Sequence, residues 1–485
     1  MPEPAIDKRL RSFIAGIFQN GSSDRFVPDV NPSDATDIIA EVPEGTADDV
    51  QAAVQAAAEA LPRWCELTGP ARAEHLYRWA AAIATRQEEL AQSMMREVGK
   101  PITEARGEVT RCVTILRYYA GEAVRETGAI IPAQIVGALQ FSLCEPLGVI
   151  ALITPWNFPL AIPLWKAAPA LAFGNTVVLK PAEAASHMGV LLAETAAAAE
   201  LPPGVFNVVL GAGRVIGDPL LKSEAVRAVS FTGSSAVGAR VASVAAGRNI
   251  RYQTEMGGKN VVIVNRDADL DLAAALTANG AMRYAGQKCT ATSRVIIARE
   301  VEQPFLKMLR EQIEALALGP VDDARAVIGP LINEDSRRAI QTALAQVNVE
   351  QIIGGVLPND ERFTKGFYFA PTVVRSVAPE DKLAQEELFG PVLATFVVDD
   401  LEQAIALANG TQYGLSASLF TRDLRSALTY LHKIEAGLVR VNGDTTGVDP
   451  HAPFGGMKGS SSGSREQGPA ARDFYTETKT IQINP

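Results

Sequence analysis

Cysteine and histidine are scarce in this 485-residue chain, with four of each. Cys65, Cys112, Cys144 and Cys289 lie far apart and show no Cys-x-x-Cys spacing, so they form neither a disulfide framework nor a zinc site. His75, His187, His432 and His451 are just as scattered, and no metal is expected. No run of Lys and Arg occurs, and the formal net charge is -10, which argues against a nucleic-acid partner. No apolar run approaches the length of a bilayer span. Met1 to Phe13 mix charges early and lack the apolar core of a signal peptide. These absences point to a cytoplasmic protein with no membrane partner.

What the chain does have is apolar bulk, 47% of its residues, and length for about three domains. Residues 47–122 read as helices. Thr46, followed by Asp48 and Asp49, gives an N-cap and an acidic first turn to a helix over 47–61. The pattern continues over 76–99 and 102–127. Residues 128–145 read as short strands around a turn at Gly137. From Gly148 the texture becomes α/β, with buried strands over 149–154, 176–180, 205–210 and 226–232 separated by helices. Further strands are expected near 261–264, 294–297, 392–396 and 416–420. Such alternation argues for parallel, doubly wound sheets in two lobes. The end of the chain, 475–483, alternates polar and apolar residues and is expected to pair with the hairpin near 128–145.

One segment carries chemistry. Ala285 to Arg294 places Cys289 among small polar residues beside Lys288, a setting that favours a reactive thiolate over a packed thiol. Upstream lie Glu255-Met256-Gly257-Gly258-Lys259 and Pro155-Trp156-Asn157-Phe158-Pro159. A thiol, a carboxylate and an amide donor are the parts that covalent chemistry on a carbonyl requires. Each also has an ordinary reading: a core thiol, a solvated carboxylate at a glycine turn, a turn asparagine.

These segments occur in order with Lys180-Pro181-Ala182-Glu183, Phe231-Thr232-Gly233-Ser234, Gly286-Gln287-Lys288-Cys289, Glu387-Leu388-Phe389-Gly390-Pro391 and Pro453-Phe454-Gly455-Gly456. From about residue 20 onward the chain resembles the NAD(P)-dependent aldehyde dehydrogenases. The resemblance implies a Rossmann-like NAD-binding domain (1–126 and 147–256), a catalytic domain (257–460) and a small β oligomerisation arm (127–146 and 461–485). Assembly into a homodimer or homotetramer follows from it too. Cys289 would be the nucleophile, Asn157 the oxyanion donor, and Glu255 the base for thioester hydrolysis. The Glu255 motif separates hydrolytic members from those that release acyl-CoA. Trp156, Gly213, Gly233 and Ser234 would meet the cofactor diphosphate, Lys180 and Glu183 the adenosine ribose, and Glu387 and Phe389 the nicotinamide end. A carboxylate at Glu183 repels a 2′-phosphate, which favours NAD, while Lys180 can pair with a phosphate and leaves NADP open.

Arg283, six residues before Cys289, matches an arginine that holds the substrate carboxylate in succinate-semialdehyde dehydrogenases. A permanently charged planar fork suits that task. A second arginine expected beside Lys166 is replaced by Trp165. The resemblance extends to 2-oxoglutarate-semialdehyde dehydrogenases, and the expected substrate is a small aldehyde bearing an anion. The competing readings are a neutral aliphatic or aromatic aldehyde, a CoA-acylating enzyme, and a non-catalytic family member.

Overall fold

Buried strands alternating with helices build two sheets in the computed structural model, which describes residues 8–348 and 352–485. The first sheet has eight strands. Five run parallel in the order Phe206–Val208, Thr176–Lys180, Val149–Ile153, Val226–Thr232 and Arg251–Glu255. Ser12–Ile14 and Ile17–Gln19 extend one edge antiparallel, and Ser461–Gly463 pairs antiparallel at the other. The second sheet has seven strands and is parallel from Thr372–Val374 through Val392–Val398, Arg294–Ala298, Val261–Val264 and Ser416–Phe420 to Leu438–Val441. Its strands are rich in Val and Ile because a parallel sheet is covered on both faces. Every residue of Val261–Val264 and Ser416–Phe420 is buried.

Helices flank both sheets. The first begins at the expected cap: Asp49 N–H donates to Thr46 Oγ1 at 3.3 Å, and Thr46 N–H to Asp49 Oδ2 at 2.8 Å. Two such reciprocal bonds satisfy donors that a helix start leaves orphaned. Ala161–Ala172 is buried along its whole length, which explains its lack of a polar face. It packs against Ile102–Glu122, and these two helices frame one side of the site described below.

Two expectations are revised and one region is added. The helix expected over 76–99 is two helices, Gly69–Thr85 and Gln87–Val98. They meet at Arg86 (φ -103°, ψ 20°), whose guanidinium bonds Glu89 and Glu194. The N-terminal region contributes strands, including the hairpin Phe26–Asn31 with Asp34–Pro43. Ser461–Gly463, assigned to the arm on sequence grounds, instead edges the first sheet beside Glu255, where Ser461 is tied to that carboxylate. The C-terminal strand pairs as expected: Thr476–Ile483 runs antiparallel to Leu139–Pro146, from Thr476↔Pro146 to Ile483↔Leu139. Among the described residues no helix is long and apolar enough to cross a membrane.

Candidate active site

Asn157 and Glu255 sit at carboxyl ends of parallel strands in the first sheet, where open α/β sheets place their ligands. Asn157 follows Val149–Ile153. Its Nδ2 donates to the Gln287 carbonyl at 3.0 Å, two residues before Cys289, and its Oδ1 is buried without a donor. The loop is pinned from beneath. Lys100 Nζ donates to the Asn157 carbonyl at 2.6 Å and pairs with Glu108; Glu108 Oε1 accepts from the Leu160 and Ala161 N–H groups, both at 3.0 Å. Lys100 and Glu108 are both buried, so removing either would strand a charge in the interior.

Glu255 ends the strand Arg251–Glu255. Ser461 Oγ donates to its Oε2 at 2.5 Å, while Oε1 is buried without a donor. Burial, reinforced by the nearby Glu466 carboxylate, pushes its pKa well above the ordinary carboxylate range. Glu466 itself is held by Lys166 and by Ser230 Oγ at 3.2 Å.

Cys289 lies beyond the helix Leu270–Met282. Between them Tyr284 (φ 56°), Ala285 (φ 51°) and Gly286 (φ 66°) are all left-handed, an arrangement that only surrounding contacts can impose on non-glycine residues. At Gly286 a Cβ would overlap the Gly390 carbonyl, so this close approach requires glycine. Asn260 Nδ2 donates to the Cys289 and Ala291 carbonyls at 2.8 Å each. Thr445 Oγ1 donates to the Thr290 carbonyl at 2.7 Å. The thiol is half-buried, and burial pushes its pKa up to about 12, with Glu387, Glu255 and Glu466 adding to the rise.

The lysine beside Cys289 therefore does not provide the thiolate-favouring setting read from the sequence. Lys288 Nζ turns away to Glu104 Oε2 at 3.0 Å. The free protein is expected to hold Cys289 as a thiol at neutral pH. Carbamidomethylation of the Cys289 peptide by iodoacetamide should rise about tenfold per pH unit, with no plateau between about pH 7 and pH 9. Glu387→Gln should speed it by removing a negative charge. A plateau near neutral pH would show that the thiol is activated before any ligand binds.

Near this cluster lie the side chains that the sequence assigns to a dinucleotide. Glu387 Oε1 accepts from the Gly258 N–H at 3.1 Å, and burial raises its carboxyl to about 7. A Cβ at Gly257 would overlap the other Glu387 oxygen. Trp156 and Phe389 meet edge to face with centroids 5.7 Å apart. Further along, Glu183 Oε1 accepts from the Gly213 N–H at 3.1 Å, and Lys180 Nζ donates to the Pro181 carbonyl at 2.9 Å, its pKa lowered by burial to about 8. Gly233 closes the strand Val226–Thr232, and Ser234 caps the helix Ser235–Gly247 with its hydroxyl making no cap bond. Free N–H groups at a helix start suit a diphosphate, and carboxylates suit sugar hydroxyls, so these residues fit the cofactor.

Arg283 is placed differently from the rest. Its Nε donates to Glu104 Oε1 at 3.0 Å, so Glu104 holds both Arg283 and Lys288. The supporting residues Lys100, Glu104, Glu108, Asn260, Ser461 and Glu466 escaped the sequence reading. Asn260 alone stands against an apolar run, Val261–Val264; Ser461 and Glu466 lie in a polar, glycine-rich segment that leaves no such signal.

Residues 18–481 match the model of the aldehyde dehydrogenase family. The chain is 44% identical over 480 residues to an alpha-ketoglutaric semialdehyde dehydrogenase of Bacillus subtilis, covering 98% of each chain. It is 39% identical to an alpha-ketoglutarate semialdehyde dehydrogenase of Haloferax volcanii, covering 97% of this chain and 98% of that protein. A crystal structure of an NAD-dependent aldehyde dehydrogenase from Sinorhizobium meliloti superposes with a TM-score of 0.95 at 36% identity, covering 100% of this chain and 96% of that one.

Proposed function

The chain belongs to the aldehyde dehydrogenase family, and from that premise we propose that it oxidises a small anionic semialdehyde, of the 2-oxoglutarate semialdehyde type, to the carboxylic acid. The observation that supports the chemistry is that Asn157 bonds the Gln287 carbonyl two residues before Cys289 while the Glu255 carboxylate acts electrostatically on the Cys289 sulfur. The Cys289 sulfur, once deprotonated, adds to the aldehyde carbon and forms a thiohemiacetal. Asn157 Nδ2 and the Cys289 N–H donate to the oxygen as it gains charge; losing one such donor costs on the order of 10²–10³ in rate. NAD, held at its nicotinamide end by Glu387 and Phe389, would supply the hydride acceptor, and loss of hydride from that carbon would leave a thioester on Cys289. Glu255 then removes a proton from water, the water oxygen attacks the thioester carbon, and the carboxylic acid departs as the thiol is restored.

In this reading Glu183 and Lys180 hold the adenosine ribose, Gly213, Gly233, Ser234 and Trp156 the diphosphate, and Glu387 with Phe389 the nicotinamide end. The carboxylate of Glu183 disfavours NADP. The arm presents an open edge strand, Thr476–Ile483, and exposed Ile130, Val136 and Leu139, which supports assembly of two or four copies. Four free cysteines suit the reducing cytoplasm.

NADH production from succinate semialdehyde, 2-oxoglutarate semialdehyde and neutral aldehydes of matched length tests the substrate assignment. The anionic compounds should be favoured in kcat/KM by about 10-fold or more, the worth of one charge-assisted contact. Equal turnover of pentanal would remove the anion from the assignment and leave the dehydrogenase chemistry in place.

A further inference from the structure

An anionic substrate needs a cation at the mouth, and the arginine singled out by its spacing from Cys289 is already paired. Arg283 Nε and Lys288 Nζ share the single carboxylate of Glu104, which turns both toward the helix Ile102–Glu122. Trp165 occupies the place where the resemblance would put a second arginine. The helix Ile102–Glu122 offers another cation, Arg111. Its Nη2 donates to the Val448 carbonyl, while its Nε is buried and has no acceptor. The segment that receives it, 444–450, is the one whose Thr445 reaches the Thr290 carbonyl beside Cys289. The guanidinium also lies within electrostatic reach of the Cys289 sulfur.

The helix geometry supports this placement. Glu108, one turn before Arg111, fastens this helix to Leu160 and Ala161 at the start of the helix Ala161–Ala172. One turn further along that second helix is Trp165. Its side chain packs against Phe454 with centroids 5.7 Å apart, and its indole N–H is buried without an acceptor. Tyr118, two turns beyond Arg111, meets His451 with centroids 6.5 Å apart, so the 444–454 segment follows the same helix. The negative groups that face Arg111 are few. Glu108 is committed to Lys100 and to two backbone N–H groups, and Asp449 is exposed. A cation with an unspent buried donor is costly in an empty protein and well suited to one that receives an oxyanion.

We propose that Arg111 binds the anionic end of the substrate, its Nε–H donating to a carboxylate oxygen while Nη2 stays on the Val448 carbonyl. This rests on the assignment of an anionic aldehyde and replaces Arg283 as its anchor. The position fixes specificity: the aldehyde carbon faces Cys289, and the charge lies toward the 444–450 segment.

The test compares kcat/KM for 2-oxoglutarate semialdehyde and for pentanal in the parent, Arg111→Met, Arg111→Lys and Arg283→Met enzymes. Within each preparation the ratio of the two constants cancels any loss of folded protein. In Arg111→Met the ratio should fall by about 10- to 100-fold, carried mainly by KM for the anionic substrate, as loss of a charged hydrogen bond implies. Arg111→Lys should restore part of it, and Arg283→Met should keep most of it. Glutarate, an unreactive dianion, should inhibit the parent competitively and Arg111→Met far more weakly. If the parent prefers the anion and Arg111→Met keeps that preference, the inference falls and the substrate assignment stands. A parent with no preference for the anion overturns both.

Discussion

Cys289→Ala is expected to lower kcat/KM for every aldehyde by on the order of 10⁴-fold or more, since it removes the sulfur that forms the covalent intermediate. The substitution removes one sulfur from a half-buried position whose backbone is fixed by other groups: the Asn260 amide on the Cys289 and Ala291 carbonyls, and Thr445 on the Thr290 carbonyl. The fold and the cofactor cleft should therefore survive. Titration of Trp fluorescence with NADH should give the parent's affinity, because Trp156 and Phe389 do not depend on the thiol. Loss of turnover with binding kept locates the defect in the chemical step. Residual turnover above about one-hundredth of the parent would assign the addition step to another group.

Glu255→Gln should separate the two halves of the reaction. Glutamine keeps an oxygen for the Ser461 hydroxyl and nearly the same volume, so the strand edge with Ser461–Gly463 should persist. The first turnover should still release NADH as a burst, because hydride loss does not need this carboxylate. The steady rate that follows should fall by about 10²–10⁴-fold, the worth of a positioned general base. The pH profile carries a second signature. Burial and Glu466 raise the Glu255 pKa, so its protonated, inactive form extends to higher pH than for an ordinary carboxylate. The steady rate of the parent should thus climb as pH passes through that elevated value, and Glu255→Gln should lose this climb. A variant whose burst and steady rate fall together would place Glu255 in the addition step as well.

Much of the fold is legible in the sequence where burial is complete. Thr176–Lys180, Val226–Thr232, Val261–Val264 and Ser416–Phe420 fall where the sequence places them, because strands buried at every position but Arg227 have almost no solvent face to blur the pattern. Where one face is wet, the signal weakens. The hairpin Phe26–Asn31 with Asp34–Pro43 is half exposed and carries register shifts around Val30, which break the two-residue alternation. The break at Arg86 is hidden because both flanking helices keep the same apolar period, and only the arginine's ties to Glu89 and Glu194 mark the corner.

The site divides in the same way. Residues with a local signature, such as Cys289, Asn157, Glu255 and Glu387, can be picked out by their neighbours in sequence. Their electrostatic surroundings cannot. Lys166 and Glu466 meet across 300 positions, and Ser461 reaches Glu255 across 206. Reading Lys288 as an activator of Cys289 failed for this reason, since adjacency along the chain says nothing about Glu104, which draws that lysine away.

A covalent acyl-enzyme on Cys289 is the centre of this account, and its mass is the most direct measurement of it. Glu255→Gln, mixed with NAD and excess 2-oxoglutarate semialdehyde and quenched in acid after the burst, should gain the mass of one acyl group per chain. Proteolysis should place that group on the peptide containing Cys289. An unmodified protein after a full NADH burst, or an acyl group on Cys65, Cys112 or Cys144, would contradict the account.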